Sequence, residues 1–282
     1  MPANGKLHLI FERDRETPDG ACITIMRPTV QNPPLRVIRS FPVVEGGALA
    51  HLHNISGGVL GGDQLECQVE VKAGAYVQLT TTGATRVYRG SSVAHQLTTI
   101  QVGTGALCEY LPDAIIPYAG SSYRQQTRIT LEPDAGLFWW EIVAPGREAF
   151  GEHFDYEQLQ LETDLYAGEI PLALERIRLQ PHQRPPSSQA RLGNYPYWAT
   201  FYICQVSAVD WLALEERLTQ MAKTLSSPAS VIWACSTLPA HGISIRALGK
   251  MGRALYDGLV EFWHAARESL YGSRSALPRK IY

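Results

Sequence analysis

An all-β body carrying two α-helices in its C-terminal part is the fold class the sequence predicts, the body being a β-helix-like solenoid or a stack of hairpins. Three observations lead there. Short β-rich runs bounded by Gly, Pro, Asn or Asp fill the chain to about residue 205, a unit of such runs recurs, and helical spacing of apolar residues appears only late.

The runs come first. Leu7–Glu12, Ala21–Met26, Leu35–Ile38, Ala48–Ile55 and Leu65–Val71 read as strands. Thr29–Pro34 reads as a loop, and Gln180–Pro196, rich in Pro, Ser and Gln, as a longer one. The repeat lies among the strands. Leu65-x-x-x-Val69-x-Val71-x-x-Gly74-Ala75 returns as Leu97-x-x-Ile100-x-Val102-x-x-Gly105-Ala106, and again as Ile129-x-Leu131-x-x-Asp134-Ala135. The turn residues stand about 30 positions apart, the spacing of a stacked supersecondary unit. Gly and Asp tolerate the positive φ of such a turn, and a second strand follows each: Tyr76–Thr81, Leu107–Leu111 and Leu137–Val143. Read as a hairpin, one unit cannot bury its apolar face alone, so stacking follows; three unrelated hairpins in a sandwich are the alternative.

Helical periodicity begins at Asp210, a capping residue, with Trp211, Leu214, Leu218, Met221 and Leu225 on one stripe. A second helix is predicted from about Lys250 to Tyr271. Met251, Leu255, Leu259, Phe262, Trp263, Ala266 and Leu270 form its apolar face, and Arg253, Asp257, Glu261, Arg267 and Glu268 its solvated one. Between the helices, Val231–Thr237 and Ile243–Ala247 read as a strand pair.

Composition narrows the function. The 282 residues are 45% hydrophobic and 18% charged, so a large core is available and general disorder is excluded. A net charge of -2 lacks the basic excess of a nucleic-acid binder and gives no pull toward an anionic membrane surface. The opening residues carry Lys6, Glu12, Arg13, Asp14 and Arg15 and no apolar core, so no secretory signal is expected. Five scattered cysteines (Cys22, Cys67, Cys108, Cys204 and Cys235) fit reduced thiols in a cytoplasmic protein.

Few residues suggest chemistry. His51-x-His53 puts two imidazoles on one side of a strand, as a cupin-like metal enzyme would, but the Glu and later His of that motif are missing. The pair is at most a weak metal site. Gly57-Gly58-Val59-Leu60-Gly61-Gly62-Asp63 lacks the Lys and Ser/Thr of a phosphate loop and reads as a crowded turn. Trp139-Trp140-Glu141 sets an acid on an apolar strand, where burial demands a partner. Arg86, Arg89, Arg147 and Glu152 are candidates for a structural network around it; a polar wall of an internal passage is the other reading.

Taken in order, these residues resemble the urease accessory protein D family (UreD, also called UreH). The likeness begins at Pro34-Leu35-Arg36-Val37 and runs through Ser56–Leu65. Its most specific stretch is Leu79-Thr80-Thr81-Thr82-Gly83-Ala84-Thr85-Arg86-Val87-Tyr88-Arg89. Glu109–Asp113, Trp140-Glu141-Ile142, Gly146–Glu152, Ile245–Gly249 and the ending Leu277–Tyr282 complete it. Arg86 replaces the family's usual Lys, and the ending carries an inserted Lys280 and a Tyr in place of Trp.

The resemblance implies a single solenoid-like domain over residues 1–282, with the β body to about 207 and the helices and strand pair from about 208. It implies a cytoplasmic, non-catalytic scaffold that associates with UreF and the GTPase UreG and docks on apo-urease for nickel insertion. Nickel is then transient cargo, and no cofactor is held tightly. Asp63 and Glu141 become candidate nickel-passage residues, with Arg86, Tyr88, Arg89, Glu109, Arg147 and Glu152 a supporting polar network. Phe262, Trp263, Arg279 and Tyr282 become candidate partner contacts. Against this stand structural roles, Asp63 capping its turn and Glu141 pairing with an Arg such as Arg147. A cupin-like enzyme and a carbohydrate-binding or lyase-type β-solenoid are the rival functions.

Overall fold

The computed structural model describes residues 2–14 and 22–276. Its first half holds β1 (Asn4–Asp14), β2 (Ile23–Asn32), β3 (Leu35–Arg36), β4 (Ser40–Val43), β5 (Gly47–Asn54), β6 (Gln64–Val71), β7 (Tyr76–Thr81), β8 (Thr85–Val87), β9 (Ala94–Val102), β10 (Leu107–Tyr110), β11 (Ile115–Pro117) and β12 (Ser122–Leu131). The second half holds β13 (Gly136–Val143), β14 (Gln158–Ala167), β15 (Ile170–Leu179), β16 (Tyr197–Gln205), α1 (Trp211–Leu225), β17 (Val231–Thr237), β18 (Gly242–Gly249) and α2 (Gly252–Tyr271). The body is mostly β-sheet with two helices near its C-terminal end, as the periodicities predict.

Two open sheets face each other. The first runs β15-β14-β12-β9-β6-β1-β2; the second runs β17-β18-β16-β13-β10-β7-β5-β3, with β4, β8 and β11 attached to it. From β5 to β14 the chain alternates between them, and β6, β9, β12 and β14 lie parallel in one while β5, β7, β10 and β13 lie parallel in the other. The two strands of each repeat unit therefore belong to different sheets and are not hairpins. Gly74, Gly105 and Asp134 make the sheet-to-sheet turns at φ of 67°, 62° and 60°, the left-handed region that Gly and Asp reach most easily.

Register explains the repeat. Val69, Ile100 and Ile129 share one rung, and Val71, Val102 and Leu131 the next. One aligned position differs: Leu65 lies beside Gln96, whereas Leu97 sits beside Glu66 and Gln126, one residue out of phase, and so points the other way. Thr29–Asn32 is strand, not loop, because β1 is long enough to pair with β2 as far as Asn32. The β14–β15 hairpin and β16 lie outside the strand runs read from sequence; Arg124, Glu162, Asp164 and Arg176 make β12, β14 and β15 look solvated, yet these charges pair across the strands.

Apolar side chains fill the space between the sheets in two clusters. One, near the sheet-to-sheet turns, includes Leu9, Val69, Ile100, Ile129, Leu137 and Cys204. The other, at the far end, includes Val59, Val87, Tyr123, Val143, Leu159 and Trp198. A third cluster seals both helices onto the second sheet through Phe138, Phe201, Ile245, Leu214, Leu218, Leu259, Phe262 and Trp263. Asp210 caps α1 by accepting from Ala213 N at 3.0 Å, and Gly272 ends α2 in the left-handed conformation. Met251 is exposed and Arg267 is fully buried, the reverse of their places on the helical projection. Arg267 flanks the apolar stripe and reaches an acid on β10, whereas Met251 precedes the first turn of α2.

Candidate functional site

The two apolar clusters between the sheets leave a polar band between them. On the first sheet, Cys67, Thr98, Thr127, Thr163 and Glu175 share one rung, and Leu65, Gln96, Gln125 and Leu161 the next. Polar residues interrupt the apolar alternation at these two levels. The second sheet faces them with Tyr110, Trp139 and Glu141. A cavity of about 260 Å³ results, entered beside His53, Thr82, Arg86 and Asp113 and walled inside by Gln96, Gln125, Thr127, Tyr110, Trp139 and Glu141.

Glu141 is the acid of this cavity. Its Oε1 accepts from Gln125 Nε2, and Tyr123 OH in turn donates to Gln125 Oε1 at 3.1 Å and lies 3.0 Å from Gln96 Oε1. Burial pushes the Glu141 carboxyl up to about 7, reinforced by the charge of Glu175 and opposed by the Gln125 hydrogen bond. None of the arginines offered by the sequence pairs with it. Glu175 is held beyond the cavity by Tyr202 OH at 3.0 Å and by Arg246 Nη2 at 2.8 Å.

Asp63 has a different role. It is buried, it does not line the cavity, and its two oxygens accept from the backbone N–H groups of Ala3 at 2.7 Å and Leu60 at 2.9 Å. It ties the N-terminal strand to the glycine turn. Gly58 of that turn packs so closely on the Arg86 carbonyl and the Tyr88 ring that a Cβ would meet both.

The remaining network residues separate into two groups. Away from the cavity lining, Arg147 donates to Glu152 through Nε at 2.9 Å and lies over the rings of Tyr118 and Phe150 at 4.3 and 4.9 Å. That pairing holds the Glu152 carboxyl below its usual range. Tyr88 meets Tyr118 edge-on, while Arg86 and Arg89 are exposed, Arg86 at the cavity rim.

Glu109 belongs elsewhere, on the helix-facing side of the second sheet. There it accepts from Tyr76 OH, Gln78 Nε2, Trp263 Nε1 and Arg267 Nε at 2.9, 2.7, 3.2 and 2.9 Å. Burial raises its carboxyl, and Arg267, Gln78 and Tyr76 pull it back; a guanidinium that never deprotonates and three neutral donors hold it as the carboxylate.

Phe262 and Trp263 are fully buried beneath α2, Phe262 against Trp233 and Trp263 on Glu109. They serve the helix–sheet seam and offer nothing to a partner on the surface. Arg279 and Tyr282 lie outside the described residues. His53 lines the cavity mouth, where burial lowers its imidazole, while His51 packs edge-on to Phe41. No group of three or more His, Cys, Asp or Glu residues able to hold a metal ion occurs among the described residues.

Sequence reasoning missed Gln125, Glu175, Arg246 and Arg267. The signal for the first lay in the alternation itself: Gln96, Thr98, Gln125 and Thr127 stand where the repeat would place inward apolar residues.

The family model described as UreD urease accessory protein matches residues 3–281. A urease accessory protein UreD of Herpetosiphon aurantiacus is 46% identical over 254 residues, covering 89% of this chain and 88% of its own. Those of Pseudomonas fluorescens and Deinococcus radiodurans are 34% and 32% identical over 226 and 256 residues, covering 80% and 89% of this chain and 77% and 87% of their own.

Proposed function

The chain belongs to the UreD family of urease accessory proteins, which are maturation proteins rather than enzymes, and from that premise we propose that it is a scaffold through which nickel reaches apo-urease. In this reading it links UreF and the GTPase UreG to the apo-enzyme in the cytoplasm. Its two-sheet body acts as a short β-solenoid whose polar band is the ion's passage. Nickel is cargo here, held briefly and released, and no cofactor stays bound.

One observation carries the reading: an acid, Glu141, sits on the inner wall of a polar cavity in an otherwise apolar inter-sheet core. A core of this size gains nothing in stability from an interior carboxylate without a cationic partner. Nickel accepts carboxylate, hydroxyl and amide oxygens, and one carboxylate with neutral neighbours attracts a divalent ion without trapping it. Asp63, spent on two backbone N–H groups, is left out of the passage.

Glu141→Gln tests this. Co-expressed with a urease operon whose own UreD is deleted, the variant should co-purify with UreF and UreG as the parent does while urease activity and urease nickel content fall together. Full activation by Glu141→Gln would sink the passage; loss of the complex along with activation would make Glu141 a structural residue.

A further inference from the structure

The cavity opens at an exposed rim beside Thr82 and Arg86 and runs inward. Its walls stop at Trp139 and Glu141; Tyr202, Thr163 and Glu175 are not among them. The polar band nevertheless continues. Tyr202 stacks on Trp139 at 5.4 Å and bonds Glu175, and Thr163 lies beside Glu175 in register. Beyond them, sheet geometry leaves the edge open: the first sheet ends at β15, whereas the second continues from β16 through β18 to β17. Arg246 stands on the same rung of the second sheet as Thr200 and Glu141 and crosses the gap to Glu175. At the level of the polar band an ion pair between the last strand of one sheet and an overhanging strand of the other spans this edge, with Ala173 packed on one neighbouring apolar cluster and Ile177 and Leu248 on the other.

We propose that the Arg246–Glu175 bridge is a gate that closes the inner end of the cavity, and that withdrawal of Arg246 into solvent joins the cavity to the opposite edge of the molecule. The two partners suit the task differently. Glu175 is held on one oxygen by Tyr202 and is only 17% exposed, so it stays in place. The Arg246 side chain is 62% exposed and is anchored through Glu175, so releasing it breaks one ion pair whose arginine already faces solvent, a small cost. While in place, the guanidinium occupies the charge position that an arriving cation would take beside Glu175. What moves through the gate rests on the passage reading above; the closure does not.

Thiol labelling of the full chain tests the closure without urease. Thr163→Cys places a reporter just behind the bridge, and Ser244→Cys, on the Tyr202 rung, places a second should the first fail to fold. Methanethiosulfonate modification is read peptide by peptide, with buried Cys108 and Cys204 as internal standards. Arg246→Ala should speed labelling at either reporter by about tenfold or more over the standards, and Arg246→Lys by less. An unchanged rate in Arg246→Ala, or a rise shared equally by Cys108 and Cys204, would overturn the gate. Because activation is not measured, failure here leaves the passage standing, and failure of Glu141→Gln leaves the gate standing.

Discussion

Glu109 and Arg267 form an ion pair in which both side chains are wholly excluded from solvent, Nε to Oε1 at 2.9 Å, and it joins α2 to β10, the third strand of the parallel set in the second sheet. Although burial disfavours its charge, hydrogen bonding to Glu45 and attraction by Glu109 raise the Arg267 guanidinium above its ordinary value. The same guanidinium holds Ser273, and Gln78 and Tyr76 reach Ser275, so the segment after α2 is fixed by this one cluster.

Removing one partner of that pair should cost far more than the pair itself is worth. Arg267→Ala strands a buried carboxylate and should lower unfolding free energy by about 3–5 kcal/mol. A Glu109→Gln/Arg267→Met double variant should recover a large part of the loss. Urea unfolding of the two single variants and the double variant measures it, and additive losses would show that the charges are not coupled.

Glu141 makes stability depend on pH. Its unfolded carboxyl releases its proton near the ordinary value of 4.5, its folded one only near 7, so the folded state holds the extra proton between these values. Stability therefore falls as pH rises through that window and levels off above it. Glu141→Gln should match the parent at pH 4 and exceed it by about 1–3 kcal/mol at pH 8. Thermal melts across this range decide; a constant difference at all pH values would contradict the burial.

Asp63→Asn should behave as a structural lesion. Both carboxylate oxygens accept from backbone N–H groups, and the amide turns one acceptor into a donor facing a donor. A loss of about 1–3 kcal/mol is expected, measured by denaturant unfolding, with UreF co-purification surviving in whatever fraction stays folded. Normal stability with lost urease activation would instead return Asp63 to the passage.

Gly258→Ala reverses an ordinary rule. In a helix interior the change usually stabilises by about 0.5–1 kcal/mol, but here the new Cβ would enter the Trp233 ring that packs on α2. Differential calorimetry should show a lower melting temperature, with α2 and β17 losing hydrogen-exchange protection first. A higher melting temperature would mean that the helix–strand contact is looser than described.

Much of this protein is written in its alternations. The turns at Gly74, Gly105 and Asp134, the helix from Trp211 to Leu225 and the strand pair after it can be read locally, because positive φ, capping and apolar period depend on neighbours in sequence. The sequence by itself also determined the family, through a motif set spread over nearly the whole chain. It could not say which sheet each strand joins: an apolar run looks alike whether its partner is the next strand or one about 30 residues on. That choice makes the polar residues at alternate positions of β9 and β12 line a cavity. It brings Arg267 onto Glu109, separated by 158 residues, and sets Glu175 beside Arg246 at an open sheet edge. Asp63 and Glu141, alike as acids beside glycine or tryptophan, part company for the same reason. Two backbone amides surround one and a polar cavity the other, and only the packing of distant strands decides what surrounds a carboxylate.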